Sequence, residues 1–368
     1  MQVQIRVKSY LNPDWQEWLE GLAVVHEPSG TTLLCGWLQD QAALYGILLT
    51  IHDFGLTLLS LETSESSQRT KGKEHIMISA AFPYEKKRKA ALGLEMAYVE
   101  EGQGDPIVFL HGNPTSSYVW RNILPYVQGF GRIIAPDLVG MGDSQKLPES
   151  GPHSYTFVEH RRHLDALLEA LGVSAQVVLV GHDWGAALAF DWARRHPEAV
   201  RGIVYMEAVM GTSSWSEMPE IARSRFQALR SAQGEQLVLE QNSFIEFNLP
   251  KTILRTLTDE EMNQYRRPFA EVGEARRPNL SWARQLPIEG EPADVTEIVT
   301  ASGKFLAQSP MPKLLIQAVP GTQDPQKVAF NRTWPAQTKV SVRGHHTPQE
   351  DSPDEIGQAI ASWLQSLK

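Results

Sequence analysis

The chain has 368 residues, of which 42% are apolar and 21% charged, and its formal net charge is −9. Such a length allows a large core plus an extra module, and such a balance is that of a soluble globular protein. The acidic charge argues against nucleic acid as a partner, and a single cysteine, Cys35, rules out an internal disulfide and fits a reducing cytosol.

Met1 to Lys8 alternates apolar and polar residues, so no secretory signal is read there. Residues 1–62 read as a small α+β unit. Val3, Ile5 and Val7 have the two-residue period of a half-buried strand. Leu22 to His26 and Thr31 to Trp37 are further strand candidates, separated by the turn sequence Glu27-Pro28-Ser29-Gly30. Asp40 offers an N-cap to a helical run from Gln41 to Asp53, Gly55 ends it, and Leu56 to Leu61 reads as a last strand. The longest apolar stretch, Ala42 to Leu61, is interrupted by His52, Asp53 and Gly55 and does not suit a bilayer. A cytoplasmic protein without membrane contact is expected. His26, His52 and Cys35 are isolated and read as structural. Residues 63–75 have the polar and charged composition of a linker.

From Ile76 to the end, residues 76–368, strands alternate with helices. Leu94 to Glu100 and Pro106 to Leu110 read as strands, Trp120 to Val127 as a helix and Arg132 to Ala135 as a strand. Phe157 to Leu171 is an amphipathic helix stopped by Gly172, and Gly202 to Met206 is another strand. This alternation predicts a mostly parallel sheet covered on both faces. Residues 211–288 break it with helical stretches at Glu217 to Leu229, Glu235 to Phe247 and Asp259 to Phe269, an all-helical cap over the strand ends. Strands return at Lys313 to Gln317 and Thr338 to Val342, and a helix from Ser352 to Leu367 closes the chain.

The most informative stretch is Val177-Val178-Leu179-Val180-Gly181-His182-Asp183-Trp184-Gly185, followed by an alanine-rich helical pattern. A strand turning sharply into a helix with a reactive side chain at the apex is a nucleophile elbow. The apex here is Asp183, and the plainer reading is a glycine turn whose Asp caps the helix. Asn113, Glu207 and the pair His345-His346 each follow a predicted strand. In an open parallel sheet those strand ends share one edge, and nucleophile, acid and histidine fall in the chain order of α/β hydrolases.

With these segments in hand, residues 76–368 closely resemble the haloalkane dehalogenases of the α/β-hydrolase superfamily. The resemblance rests on His111-Gly112-Asn113-Pro114-Thr115-Ser116-Ser117, Asp137-Leu138-Val139-Gly140-Met141-Gly142, Gly181-His182-Asp183-Trp184-Gly185 and Met206-Glu207-Ala208. It extends through Tyr265-Arg266-Arg267-Pro268-Phe269 in the cap and Gln349-Glu350-Asp351-Ser352-Pro353-Asp354-Glu355-Ile356-Gly357. It implies an α/β-hydrolase fold with a helical cap, and the subfamily whose catalytic acid is a Glu. Asp183 is then the nucleophile, forming a covalent alkyl-enzyme ester. Trp184 and Asn113 are the halide-binding donors. His346 is the general base that activates water, and Glu207 orients it. Backbone N–H groups of Trp184 and Asn113 are expected to form the oxyanion hole. Register from Gln349-Glu350-Asp351 selects His346 over His345, while Thr347-Pro348 departs from the family pattern. Phe244 and Pro268 match positions facing the halide pocket. Trp215, Phe247 and Trp282 read as packing, and His182 as packed or locally bonded. Neither cofactor nor metal is implied, and the spaced carboxylates of Asp137 to Asp143 match a family turn. The expected partners are small halogenated alkanes, water and the halide product.

Two rivals share the scaffold. Coelenterazine luciferases carry the same segments, and epoxide hydrolases use an Asp nucleophile with two cap tyrosines, where Tyr265 stands here. A third reading is a binding or assembly role through residues 1–62, including self-association. Those residues resemble a small uncharacterised bacterial domain that implies no function.

Overall fold

The computed structural model describes residues 2–8, 22–27, 30–38, 41–53, 55–64, 78–323 and 325–367. The turn at Pro28-Ser29, the cap at Asp40 and most of the expected linker lie outside them. The N-terminal unit is a four-stranded sheet of β1 (Gln2–Val7), β2 (Ala23–His26), β3 (Thr32–Trp37) and β4 (Leu58–Ser64), in the order β2-β3-β1-β4. Its pairs are antiparallel, with Ile5 opposite Leu34 and Leu61. Val3, Ile5 and Val7 are fully buried and pack with Leu44, Ile47 and Ile51 of helix α1 (Gln41–Asp53). This is the physical consequence of their alternation: one face of β1 meets the helix. Gly55, at φ 65°, lets the chain leave α1 in a left-handed turn. β4 runs on through Thr63 and Ser64.

The second sheet has eight strands in the order β12-β11-β10-β9-β7-β8-β6-β5. They are β5 (Lys86–Ala91), β6 (Leu94–Glu101), β7 (Pro106–Leu110), β8 (Arg132–Pro136), β9 (Val177–His182), β10 (Val200–Met206), β11 (Lys313–Pro320) and β12 (Gln337–Gly344). Strands β7 to β12 pair in parallel, and β5 and β6 are antiparallel at one edge. Strand β5 has the sequence KKRKAA and is mostly exposed, so no apolar period marks it. Its lysines discourage further pairing at the open edge. The expected helix from Trp120 to Val127 is a 3-10 turn at Ser117–Trp120 and a single turn, α2 (Leu124–Val127), with Pro at its start.

Helices cover both faces. Helices α3 (Phe157–Ala170), α4 (Trp184–Arg195) and α12 (Pro353–Ser366) lie where the sequence places them. In the cap, α5 (Glu220–Arg230) is followed by a short turn, α6 (Gln233–Glu235), and two π-helical turns at Gln236–Glu240 and Phe244–Asn248. Asn242, at φ 53°, breaks the expected continuous helix from Glu235 to Phe247. A one-turn α7 (Leu249–Lys251), α8 (Asp259–Arg266) and α9 (Arg277–Gln285) complete the cap. A bridge between Ser213 and Ile288 ties its two ends together. Helix α10 (Ala293–Gln308), which packs on α4, and α11 (Pro325–Arg332) have no counterpart in the sequence reading. Helix α1 of the N-terminal unit packs against β11 and β12. No described helix is long and apolar enough to cross a membrane.

A buried ionic cluster joins cap to sheet. Arg121 donates to both carboxylate oxygens of Glu350, at 2.6 and 2.8 Å, and to Glu261 at 2.9 Å. Arg255 and the hydroxyl of Tyr265, both from the cap, also donate to Glu350. The side chains of Arg121, Glu261 and Glu350 are at most 1% exposed, so the charges compensate one another rather than water doing so.

Candidate active site

All six residues of β9 are buried, and α4 begins one residue after Asp183. Two glycines make that turn possible. A Cβ on Gly181 would come within 2.5 Å of Ala186 Cα, and one on Gly185 within 2.1 Å of the Leu110 carbonyl oxygen. Asp183 itself sits at φ 52°, ψ −122°, a strained conformation for a non-glycine residue. Its carboxylate makes no hydrogen bond capping α4, which removes the plainer reading of the elbow. Instead, Oδ2 accepts the backbone N–H of Asn113 at 2.9 Å, and Oδ1 lies 3.5 Å from His346 Nε2.

The other strand ends converge on this carboxylate. Glu207 follows β10 at φ 44°, and its Oε2 lies 3.4 Å from His346 Nδ1. The same Oε2 accepts the backbone N–H of Thr322 at 3.0 Å and the Thr322 hydroxyl at 2.6 Å. His346 thus spans Asp183 on one ring nitrogen and Glu207 on the other. Its neighbour His345 makes neither contact; its backbone N–H faces Asp351 Oδ2 at 3.4 Å. Thr347, the departure from the family pattern, ties this loop to the cap: its N–H donates to the Thr252 carbonyl at 2.9 Å, and the two hydroxyls are 2.9 Å apart.

The electrostatics follow from this geometry. Burial alone pushes His346 down, but hydrogen bonds and charge from Asp183 and Glu207 outweigh it and raise the imidazole to about 10. Burial pushes Asp183 up, but His346, His182 and the Asn113 N–H together hold it below the usual carboxylate range. His182 is fully buried, and burial together with the His346 charge lowers it to about 4. It is therefore neutral, and its Nε2 donates to the His346 carbonyl oxygen at 2.5 Å, fixing the main chain of the histidine loop.

Trp184 is 3% exposed and stacks on Trp282 of the cap, with ring centroids 4.7 Å apart. Trp282 stacks in turn on His160 at 4.1 Å. Trp282, expected to pack, and His160 together hold the indole beside Asp183 in place. The Asn113 side chain lies next to the same layer, its Nδ2 donating to the Asn279 carbonyl of α9 at 3.2 Å. One of its two amide hydrogens is left for a ligand.

The two expected pocket residues separate. Phe244 is 6% exposed and packs in the cap with Leu280 and Ala283, the neighbours of Trp282. Pro268 is half-buried in the 3-10 turn Arg267–Phe269, next to the Tyr265 end of the ionic cluster. Phe247, expected to pack, is 58% exposed. The carboxylates of the Asp137 to Asp143 loop are paired: Asp137 accepts Lys86 at 2.5 Å and the Ser117 N–H at 2.8 Å, and Asp143 pairs with Lys86 and Arg267.

Thr322 is the residue of this cluster that the sequence reading missed. Strand β11 ends three residues beyond its expected end, at Pro320, which brings Thr322 to the same sheet edge.

Comparison with known proteins bears on the same segments. The alpha/beta hydrolase fold family matches residues 105–279, and a family described only as a domain of unknown function matches residues 2–62. A haloalkane dehalogenase of Sphingobium indicum is 57% identical over 294 residues, covering 79% of this chain and 99% of that protein. One from Mycolicibacterium smegmatis is 52% identical over 278 residues, covering 75% and 89%. Among solved structures, the haloalkane dehalogenase DbeA from Bradyrhizobium elkani superposes with a TM-score of 0.73 at 43% identity, over 77% of this chain and 98% of that one.

Proposed function

The chain belongs to the haloalkane dehalogenases of the α/β-hydrolase fold, and from that premise we propose how its own residues carry the reaction. It hydrolyses the carbon–halogen bond of halogenated alkanes to alcohol, halide and proton. Asp183 attacks the carbon in line with the halogen. A carbon–oxygen bond forms, and the carbon–halogen bond breaks with its electron pair leaving on the halide. Trp184 Nε1 and the free amide hydrogen of Asn113 take up the halide in a site closed by the Trp184–Trp282 stack.

Esterification neutralises Asp183. The carboxylate that holds the proton on His346 Nε2 is then gone, and the imidazole is released to act as a base. Water attacks the ester carbonyl as His346 takes one of its protons; the ester carbon–oxygen bond breaks, the departing alkoxide takes the other proton to become the alcohol, and the Asp183 carboxylate returns. Glu207 orients the ring and balances the imidazolium. The Asn113 N–H, 2.9 Å from Asp183 Oδ2, is placed to hold the oxyanion of this second step. The observation that carries the reading is this one carboxylate, held between the Asn113 N–H and His346 with Trp184 beside it. An epoxide hydrolase reading loses support because Tyr265, its candidate proton donor, gives its hydroxyl proton to Glu350.

Release of halide from 1,2-dibromoethane or 1-bromobutane, with Asp183→Ala as control, tests the assignment. Release that survives Asp183→Ala would refute it. The unpaired Cys35 fits a cytoplasmic location. For residues 1–62, the reading is self-association. Among the described residues β4 is an edge strand whose Leu58, Leu59 and Leu61 are exposed, the kind of edge on which a second copy pairs. Light-scattering masses of the full chain and of Leu59→Lys test it, and a monomeric full chain contradicts it.

A further inference from the structure

We propose that Thr322 is a positioning residue of the acid–base pair, coupling Glu207 to His346 through its hydroxyl. The inference rests on the roles assigned above to Asp183, Glu207 and His346. Direct contact between acid and base is long, with Glu207 Oε2 and His346 Nδ1 3.4 Å apart. The Thr322 hydroxyl is nearer to both, 2.6 Å from Oε2 and 3.1 Å from Nδ1.

The direction of these bonds follows from what each group can do. An ionised carboxylate only accepts, so the hydroxyl proton goes to Glu207. The oxygen is then left to accept, and His346 Nδ1 must carry the hydrogen it receives. Once the ester has formed and Nε2 has given up its proton, the chain Nδ1–H to Oγ1 and Oγ1–H to Oε2 fixes the tautomer of His346. It leaves Nε2, the nitrogen that faces Asp183, as the basic one. The backbone N–H of Thr322 adds a second donor to Oε2 at 3.0 Å.

The loop is built to hold this position. The Gly321 N–H donates to the Gly344 carbonyl at 3.0 Å, just before the histidine pair. Gln323 Nε2 donates to the Ala208 carbonyl at 2.8 Å, just after Glu207. Gly321 is at φ 67°, and a Cβ there would come within 2.9 Å of Glu207 Oε1 and 2.8 Å of the Ala318 carbonyl oxygen. Thr322 is therefore stitched to the residue preceding the base loop and to the residue following the acid.

Alkylation of Asp183 needs no base, but hydrolysis of the ester does, so the loss of this coupling falls on the second step. Thr322→Val removes the hydroxyl at nearly constant shape, and Thr322→Ser keeps it. With 1-bromobutane, Thr322→Val is expected to lower kcat about ten- to a hundredfold, the worth of a hydrogen bond to a charged group. Its kcat/KM stays within about threefold, because that ratio reports the steps through alkylation. Quenched samples show the butyl ester accumulating on Asp183 by intact mass, and Thr322→Ser restores turnover. Thr322→Val with kcat within about twofold of wild type, and no ester, overturns the proposal. So does a parallel fall in kcat and kcat/KM that Thr322→Ser does not rescue, which marks a merely structural residue. If the wild type itself neither releases halide nor esterifies Asp183, the parent assignment fails first; in every other case the proposal fails alone.

Discussion

Replacing Asp183 by Asn removes the carboxylate's charge while keeping its shape, as the proposed esterification would remove it. In the folded protein burial is outweighed by the charges of Asp183 and Glu207, which raise His346 to about 10, well above the ordinary imidazole value. Its ring nitrogens lie 3.5 Å from Asp183 and 3.4 Å from Glu207. At such a separation and an effective dielectric of about 20, one carboxylate stabilises the imidazolium by roughly 5 kcal/mol, or about 3.5 pKa units. Two carboxylates opposed by burial account for the elevation. Asp183→Asn should therefore bring His346 down by about two units or more. The assay is a histidine NMR titration, with His346→Gln in the same background to assign the resonance. Stability carries the same sign. A raised folded pKa gives stabilisation that is complete below about 6.5, the value in the unfolded chain, and is lost as pH rises through about 10. Wild type should lose stability across that window more steeply than Asp183→Asn. If His346 in Asp183→Asn still titrates near 10, the proposed release of the base by esterification is refuted.

Glu350→Gln strips the charge that Arg121 and Arg255 share in the buried cluster. A cost of about 3–5 kcal/mol is expected in denaturant unfolding, and less than about 1 kcal/mol would show that the cluster is compensated elsewhere. Trp282→Ala removes a fully buried ring stacked between His160 and Trp184. It should cost about 3–5 kcal/mol and weaken chloride binding measured by tryptophan fluorescence; unchanged chloride affinity would separate the stack from the halide site.

The parts of the site that are legible in the sequence are those dictated by backbone contact. Gly181 and Gly185 flank Asp183 because a Cβ at either would strike main chain, so the elbow is written in residue spacing. Asn113 and Glu207 are legible because each follows a buried apolar strand in a parallel sheet, whereas His346 follows the mostly exposed β12 and is legible from its register with Gln349-Glu350-Asp351. Elsewhere the local signal is weak or overridden. Strand β5 is an exposed lysine-rich edge and shows no burial period. Helix α10 mixes Thr296, Ser302 and Gly303 into its faces. Asn242 breaks a cap segment whose composition is helical throughout. The stack of His160, Trp282 and Trp184 joins α3, α4 and the cap helix α9, segments far apart in sequence that only the tertiary fold brings together. Thr322 is one of many polar residues after a Pro-Gly turn, and its place beside Glu207 comes from the extended end of β11.

In the proposed reaction Asp183 is alkylated first and His346 is needed only afterwards. The most direct measurement is intact and peptide mass spectrometry of His346→Ala after incubation with 1-bromobutane. One butyl group is expected to be retained per chain, located on Asp183, together with release of one equivalent of bromide. Bromide release without a retained butyl group, or a butyl group on any residue other than Asp183, would contradict it.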